Sequence, residues 1–222
     1  MSWGITGWIL CVALLLPGLA GCGTPFATVP AGSGHPVMLL GHDPVAYFTA
    51  GQPQRGDPAL RVDLPARSYY FASAGHRAMF VADPARFEPQ YGGFCASGAA
   101  FAIKLGSDPT AWALRDGRLF VFGDVLGQAA WSLAPAWNIE HADRLWPTIA
   151  QRGWRAQSLW AYLNKVPHYK TSADIRAEWT AQRPGQPYPV YNPGGMVTNL
   201  FLKPPGWRAA EGAGQPALGY AP

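Results

Sequence analysis

Cys95 is the side chain of this sequence whose type and position point most directly to chemistry. It lies two residues after the adjacent glycines Gly92 and Gly93. Paired glycines permit a backbone with φ > 0 or a close approach of another chain segment. A short helix is expected over residues 96–104, which would place Cys95 beside a helix N-terminus, where the dipole favours a thiolate. The pattern therefore predicts a Cys95 thiol of lowered pKa, provided that this helix forms.

The first 21 residues predict an export signal. They contain no charged side chain, and the apolar run Ile9–Leu16 ends at Pro17-Gly18 and Leu19-Ala20-Gly21-Cys22. A short apolar segment that ends in small residues is typical of a secretory signal and is too short to span a bilayer. The tripeptide Leu-Ala-Gly before a cysteine resembles the lipobox of bacterial lipoproteins. The resemblance implies removal of residues 1–21 and a lipid attached to Cys22.

Lipid attachment would leave Cys95 as the lone thiol of the mature chain. Cys11 would depart with the signal, so Cys95 would have no partner for an internal disulfide in an oxidising compartment. Gly23 is not the aspartate that retains lipoproteins at the inner membrane, which implies the periplasmic face of the outer membrane. A lone exported thiol is a buried small hydrophobe, a metal ligand, or a redox-active or intermolecular thiol. The residues alone leave these three interpretations open.

Composition divides the chain into a globular part and an extended part. Hydrophobic residues make up 49%, enough for a core, while 26 glycines and 22 prolines exceed ordinary usage. Residues 23–144 carry nine Lys/Arg and ten Asp/Glu, whereas residues 145–222 carry eight and three. The net charge of +4 therefore belongs to the C-terminal third. Export and lipid attachment argue against nucleic acid as a partner, although the C-terminal third is basic.

Local patterns predict an α+β domain over residues 36–150, joined to the lipid by a flexible tether over residues 22–35. Alternating and β-favouring residues predict strands, Ser73 is a good helix N-cap, and Asp116-Gly117 predicts a two-residue hairpin turn. The expected elements are a hairpin over 60–71, helices over 74–81 and 96–104, a hairpin over 112–122, and helices over 125–137 and 139–150.

The C-terminal third predicts a helical extension over residues 151–182 and then an irregular arm over residues 183–222. Residues 154–166 have the apolar spacing of an amphipathic helix. The arm holds eight prolines and seven glycines among basic and aromatic residues. Such an arm suits an anionic membrane surface or a groove on a protein partner. Packing of its aromatic side chains back onto the domain is an equal alternative.

Several motifs between residues 37 and 147 resemble the exported branch of the YHS domain family in order and spacing. They are Asp43-Pro44-Val45-Ala46-Tyr47-Phe48, Tyr70-Phe71-Ala72-Ser73, Gln90-Tyr91-Gly92-Gly93-Phe94-Cys95-Ala96, Asp116-Gly117-Arg118-Leu119 and Trp146-Pro147. The resemblance implies a small α+β domain of β-hairpins and short helices. It also implies binding of a soft metal, copper or zinc.

The same resemblance points to a metal site at Cys95. Metal-associated relatives have a second cysteine near the start of the helix after the Tyr-x-Phe strand, and this chain has none there. His76 is the candidate replacement, because imidazole with thiolate suits copper or zinc; the alternative is a solvated helix residue. The expected framework of the site is Tyr70, Tyr91, Gly92, Gly93 and Phe94.

Two functions therefore follow as expectations. The first is a lipid-anchored protein that binds copper or zinc through Cys95, with His76 as a second ligand. The alternative is a non-catalytic structural or interaction lipoprotein whose arm, residues 183–222, docks a protein or an anionic membrane surface. The sequence shows no nucleophile–base pattern, and thiol-redox chemistry at Cys95 would need an external thiol. The expectation is thus a protein that is not an enzyme.

Overall fold

The computed structural model describes residues 23–32, 34–153 and 170–189. Over these residues the chain is a mixed α+β protein with two small sheets and several helices. The strands are β1 (Thr28–Val29), β2 (Val37–Met38), β3 (Asp57–Leu64), β4 (Arg67–Phe71), β5 (Asp108–Arg115) and β6 (Arg118–Phe122). The helices are α1 (Ala46–Thr49), α2 (Ala74–Ala82), α3 (Pro84–Phe87), α4 (Ala96–Ala99), α5 (Val125–Trp131), α6 (Pro135–Ile149) and α7 (Ser172–Gln182).

The first sheet has the strand order β1-β2-β4-β3. Strands β3 and β4 form the expected antiparallel hairpin, with Leu64 opposite Arg67. Strand β2 runs parallel to β4, with Val37 opposite Ser68. The sheet thereby joins the segment before residue 40 to the middle of the domain.

The second sheet is the β5–β6 hairpin, and its turn at Asp116-Gly117 is the one that the sequence predicts. Strand β6 separates two hydrophobic clusters. Leu119 and Val121 belong to the cluster beneath the first sheet, and Phe120 and Phe122 belong to the cluster beneath α5 and α6. Alternate side chains of a strand point to opposite faces, so a strand buried on both faces must be apolar throughout.

Three of the predicted helices, over residues 96–104, 125–137 and 139–150, have different bounds in the structure. Helix α4 is a single turn, because the chain reverses at Ala102, whose φ is +57°. The predicted break at residue 138 is wrong, since the chain breaks instead between α5 and α6 at residues 132–134. Pro135 begins α6, where its missing N–H leaves no bond unmade. The Asn138 side chain donates to the carbonyl oxygens of Trp131 and Ala134.

The tether predicted over residues 22–35 is wrong for its central part. Strand β1 lies inside that range and pairs antiparallel with β2, with Thr28 opposite Met38. Ala27 is buried, and its N–H donates to Gly92 O over 2.8 Å. The segment that follows the candidate lipid-bearing cysteine is therefore part of the fold.

The described part of the C-terminal extension is α7 and the seven residues after it. Thr171 and Asp174 form a capping box at the start of α7. Trp179 on α7 is buried, and Tyr188 packs edge-on against it at 5.8 Å between ring centroids. The first part of the arm thus packs on α7.

Other predictions fall outside the described residues. They are the signal, Cys22, the amphipathic helix over residues 154–166 and the arm from residue 190 onward. Within the residues that the structure does describe, no helix combines the length and apolarity needed to cross a bilayer.

Candidate functional site: the seat of the N-terminal segment

Gly92 and Gly93, together with Lys104, form the surface on which the N-terminal segment, residues 23–29, packs; this surface is called the seat. Gly92 has a φ of +59°, and a Cβ at this position would overlap the carbonyl oxygen of Pro25. Its carbonyl oxygen accepts the N–H of Ala27. Gly92 therefore serves both purposes that the sequence allows for it, a left-handed backbone and a close chain approach.

Gly93 completes the turn under the segment. Its φ is +76°, and a Cβ would lie 3.0 Å from Met38 Cε. The hydroxyl of Ser107 donates to its carbonyl oxygen over 2.5 Å. The adjoining rings of Tyr91 and Phe94 each lie 5.9 Å from the ring of Trp146 on α6. The motif thus links the N-terminal segment to helix α6.

Lys104 clamps the start of the segment to the end of α6. Its ammonium is fully buried and donates to Thr24 O at 2.7 Å, Ala150 O at 2.8 Å and Arg152 O at 3.0 Å. It also lies 4.6 Å from the centre of the Phe94 ring. A cation at the carbonyl end of a helix interacts favourably with the unpaired oxygens there. Desolvation by burial lowers the pKa of Lys104 to about 8.

The first described residue, Gly23, fits only because it has no side chain. A Cβ on Gly23 would overlap the backbone of Arg152 and the carbonyl oxygen of Gln151. The next residue, Thr24, accepts the N–H of Phe26 through its hydroxyl at 3.1 Å. The chain is consequently held in place from the position directly after Cys22.

Cys95 is buried, with 3% of its surface exposed. Burial raises the pKa of its thiol, and the N–H groups of Gly98, Gly123 and Ser97 oppose that rise without overcoming it. The prediction of a lowered pKa is therefore wrong. The helix that follows Cys95 is one turn long, so its dipole is too weak to offset the desolvation of a buried thiolate.

His76 lies in a separate polar cluster with Asp43 and Thr49. Its Nδ1 is 2.6 Å from Asp43 Oδ2, and its Nε2 is 3.1 Å from Thr49 Oγ1. The buried Asp43 carboxylate also accepts the N–H groups of Val45 at 2.8 Å and Ala72 at 2.8 Å. Asp43 therefore joins the start of α1, the end of β4 and the first turn of α2.

Asp43, His76 and Thr49 contact one another in the order carboxylate, imidazole and hydroxyl, as in a catalytic triad. The sequence did not predict this arrangement. The hydroxyl of Thr49 donates to Val45 O over 3.1 Å, so its proton is directed to the helix backbone and away from the imidazole. His76 is 33 residues from Asp43 and 27 residues from Thr49 in the sequence, so no local pattern links it to them. The arrangement connects secondary structure elements.

The structure places Cys95 and His76, the expected copper or zinc ligands, in different surroundings. Both ring nitrogens of His76 have protein partners, and the Cys95 thiol is buried among apolar residues. Among residues 23–32, 34–153 and 170–189, no three His, Cys, Asp or Glu side chains come together in a way that would hold a metal ion. Tyr70 lies against Gly41 on the first sheet, apart from the rest of the expected framework.

A groove of about 300 Å³ lies beside the seat, between the motif and α6. Its lining residues are Ala85, Glu88, Pro89, Gln90, Tyr91, Asp143, Trp146 and Pro147. Asp143 pairs with Arg118 at 2.6 Å and accepts the hydroxyl of Tyr91 at 2.9 Å. The hydrogen bond from Arg118 lowers the pKa of Asp143. The pKa of Tyr91 is raised mainly by burial of its hydroxyl and, to a smaller extent, by its hydrogen bond to Asp143. This network stabilises the wall of the groove.

Comparison of the chain with family models, curated proteins and solved structures gave no match.

Proposed function

We propose that the protein is a lipid-anchored, non-catalytic interaction module on the periplasmic face of the outer membrane. The proposal rests on the way in which Gly92, Gly93 and Lys104 hold the N-terminal segment against the domain. The residues of the family-like motif, with Lys104, hold the segment that directly follows Cys22. These residues serve attachment of the N-terminal segment to the domain, and their geometry offers neither a ligand set nor an activated nucleophile.

The chemistry of Cys95 supports a binding role over metal handling. A thiol binds soft metals as the thiolate, and burial disfavours that form here. Basic and aromatic residues of the arm, residues 183–222, are the proposed contact with a protein partner or with anionic lipid. Arg183 and Tyr188, at the start of this arm, both pack on α7 and so connect the arm to the domain.

The test uses the full chain produced in a bacterium that exports and lipidates proteins. Mass spectrometry should find diacylglycerol on Cys22, and Cys22→Ala should move the protein from the membrane to the soluble fraction. Truncation after residue 189 should leave membrane attachment intact and reduce recovery of co-purifying partners severalfold.

Loading the same preparations with metal tests the alternative function, metal binding. After incubation with copper or zinc, wild type and Cys95→Ala should hold equal, substoichiometric metal. Near-stoichiometric metal that is lost in Cys95→Ala would overturn the proposal in favour of a metal-binding protein.

A further inference from the structure

We propose that the face formed by Gly23, Thr24 and residues 150–153 lies directly against the lipid bilayer, so that the domain has one fixed orientation on the membrane. This inference rests on the proposed lipid at Cys22. It identifies the surface of the domain that meets the lipid, and it identifies Lys104 as the side chain that holds this surface in place.

Covalent geometry limits how far the lipid lies from the folded domain. A free tether over residues 22–35 could separate the lipid from the domain by about 45 Å. With Gly23 fixed against Arg152, the sulfur of Cys22 lies within about 7 Å of the Gly23 Cα, because one peptide unit spans 3.8 Å between Cα atoms. The acyl chains therefore enter the bilayer beside the C-terminal end of α6.

The clamp has the strength to keep this arrangement. Lys104 makes three hydrogen bonds to carbonyl oxygens in a site shielded from water, where charged donors form stronger bonds than neutral ones. Two of the three acceptors lie at the end of α6 and the third is Thr24. If Thr24 moved away, its carbonyl oxygen and the Lys104 ammonium would lose their mutual hydrogen bond, which disfavours release of the segment.

The chemistry of the face suits lipid headgroups. Gln151 and Arg152 are exposed beside Gly23. An arginine at a membrane surface attracts anionic phospholipid phosphates and strengthens attachment that a lipid anchor begins. The partner of this face is therefore the bilayer in which the anchor sits.

The experiment measures the distance of two surface positions from the bilayer in the full lipidated chain. Gln151→Cys carries an environment-sensitive fluorophore on the proposed face and leaves Arg152 in place. Val81→Cys carries it on α2, where residue 81 is 55% exposed; this helix packs on strands β3 and β4 of the first sheet. Cys95 is buried, and unsubstituted protein measures its background labelling. Vesicles contain phospholipids with a quencher attached to the headgroup, and mass spectrometry confirms the lipid on Cys22.

Quenching at position 151 should exceed quenching at position 81 at least threefold. Lys104→Met and Gly23→Ala, each of which releases the segment, should bring the ratio close to one while the lipid on Cys22 remains. Lys170→Met, which changes a lysine that pairs with Glu178 on α7, should leave the ratio unchanged.

Each other outcome has a distinct meaning. Equal quenching at the two positions in lipidated wild type overturns the fixed orientation and leaves the lipid anchor standing. A Cys22 that carries no lipid overturns the anchor and the orientation together. Because Gly23→Ala alters only the terminus of the segment, it tests the clamp even if Lys104→Met fails to fold.

Discussion

Gly92 must be glycine for two reasons, its backbone conformation and the close approach of another chain segment. Its positive φ is unfavourable for residues with a Cβ, and the passing chain at Pro25 leaves no space for one. Gly51 has a similar φ of +62° with nothing within 4 Å of the Cβ position. Comparing alanine variants at the two glycines therefore separates the free-energy cost of a positive φ from the cost of a steric clash with Pro25.

Gly92→Ala is expected to reduce the free energy of unfolding by at least about 2 kcal/mol more than Gly51→Ala does, which should lose about 1 kcal/mol from backbone strain alone. The additional loss reflects displacement of residues 23–29 from the seat. Urea unfolding measures both variants, and limited proteolysis should detect cleavage within residues 23–29 in Gly92→Ala only. Equal losses would contradict the role of the seat.

At the scale of elements, a single buried carboxylate fixes three of them. Asp43 accepts the N–H groups of Val45 and Ala72 and contacts the ring of His76. Helix α1 is a single turn, so it depends on such tertiary bonds for its position. The Asp43 carboxylate therefore has a clear architectural role.

Asp43→Ala should lower the free energy of unfolding by about 3–5 kcal/mol, because it leaves two buried N–H groups and an imidazole without an acceptor. Asp57→Ala is the matched control, since Asp57 accepts the N–H of Ala59 at the exposed start of β3. This control should lose about 1 kcal/mol or less. Similar losses in thermal or urea unfolding would show that the Asp43 cluster contributes little.

At the scale of the whole molecule, Lys104 joins the beginning of the described chain to the end of its longest helix. Burial lowers its pKa to about 8, whereas the unfolded chain has the ordinary value of 10.5. Between these values the unfolded state binds more protons than the folded state, so stability rises with pH. Below pH 8 both states are protonated, and the cost of burying the charge is fully present.

The difference in unfolding free energy between wild type and Lys104→Met should therefore shift in favour of wild type as pH rises from 8 to 10. Urea unfolding at intervals across this range measures the shift, and Lys170→Met should show none. The buried thiol of Cys95 and the buried tyrosines act in the opposite direction at higher pH, and they are common to all three proteins. A flat difference would show that Lys104 is not desolvated.

The sequence by itself determined the features that depend on neighbouring residues. The alternation around residues 60–71, the Ser73 cap and the Asp116-Gly117 turn each act over a few positions, and the structure confirms all three. The mixed α+β class follows from these patterns. The glycine pair also signalled an unusual backbone without any knowledge of its neighbours.

Only the tertiary structure decided what those glycines accommodate. Pro25 and Gly92, or Thr24, Lys104 and Arg152, are brought together by long-range packing that no local pattern encodes. The same holds for the burial of Cys95, where desolvation outweighs the short helix that suggested a reactive thiol. Local rules describe how each segment is built, whereas the environment of a side chain depends on segments far away in sequence.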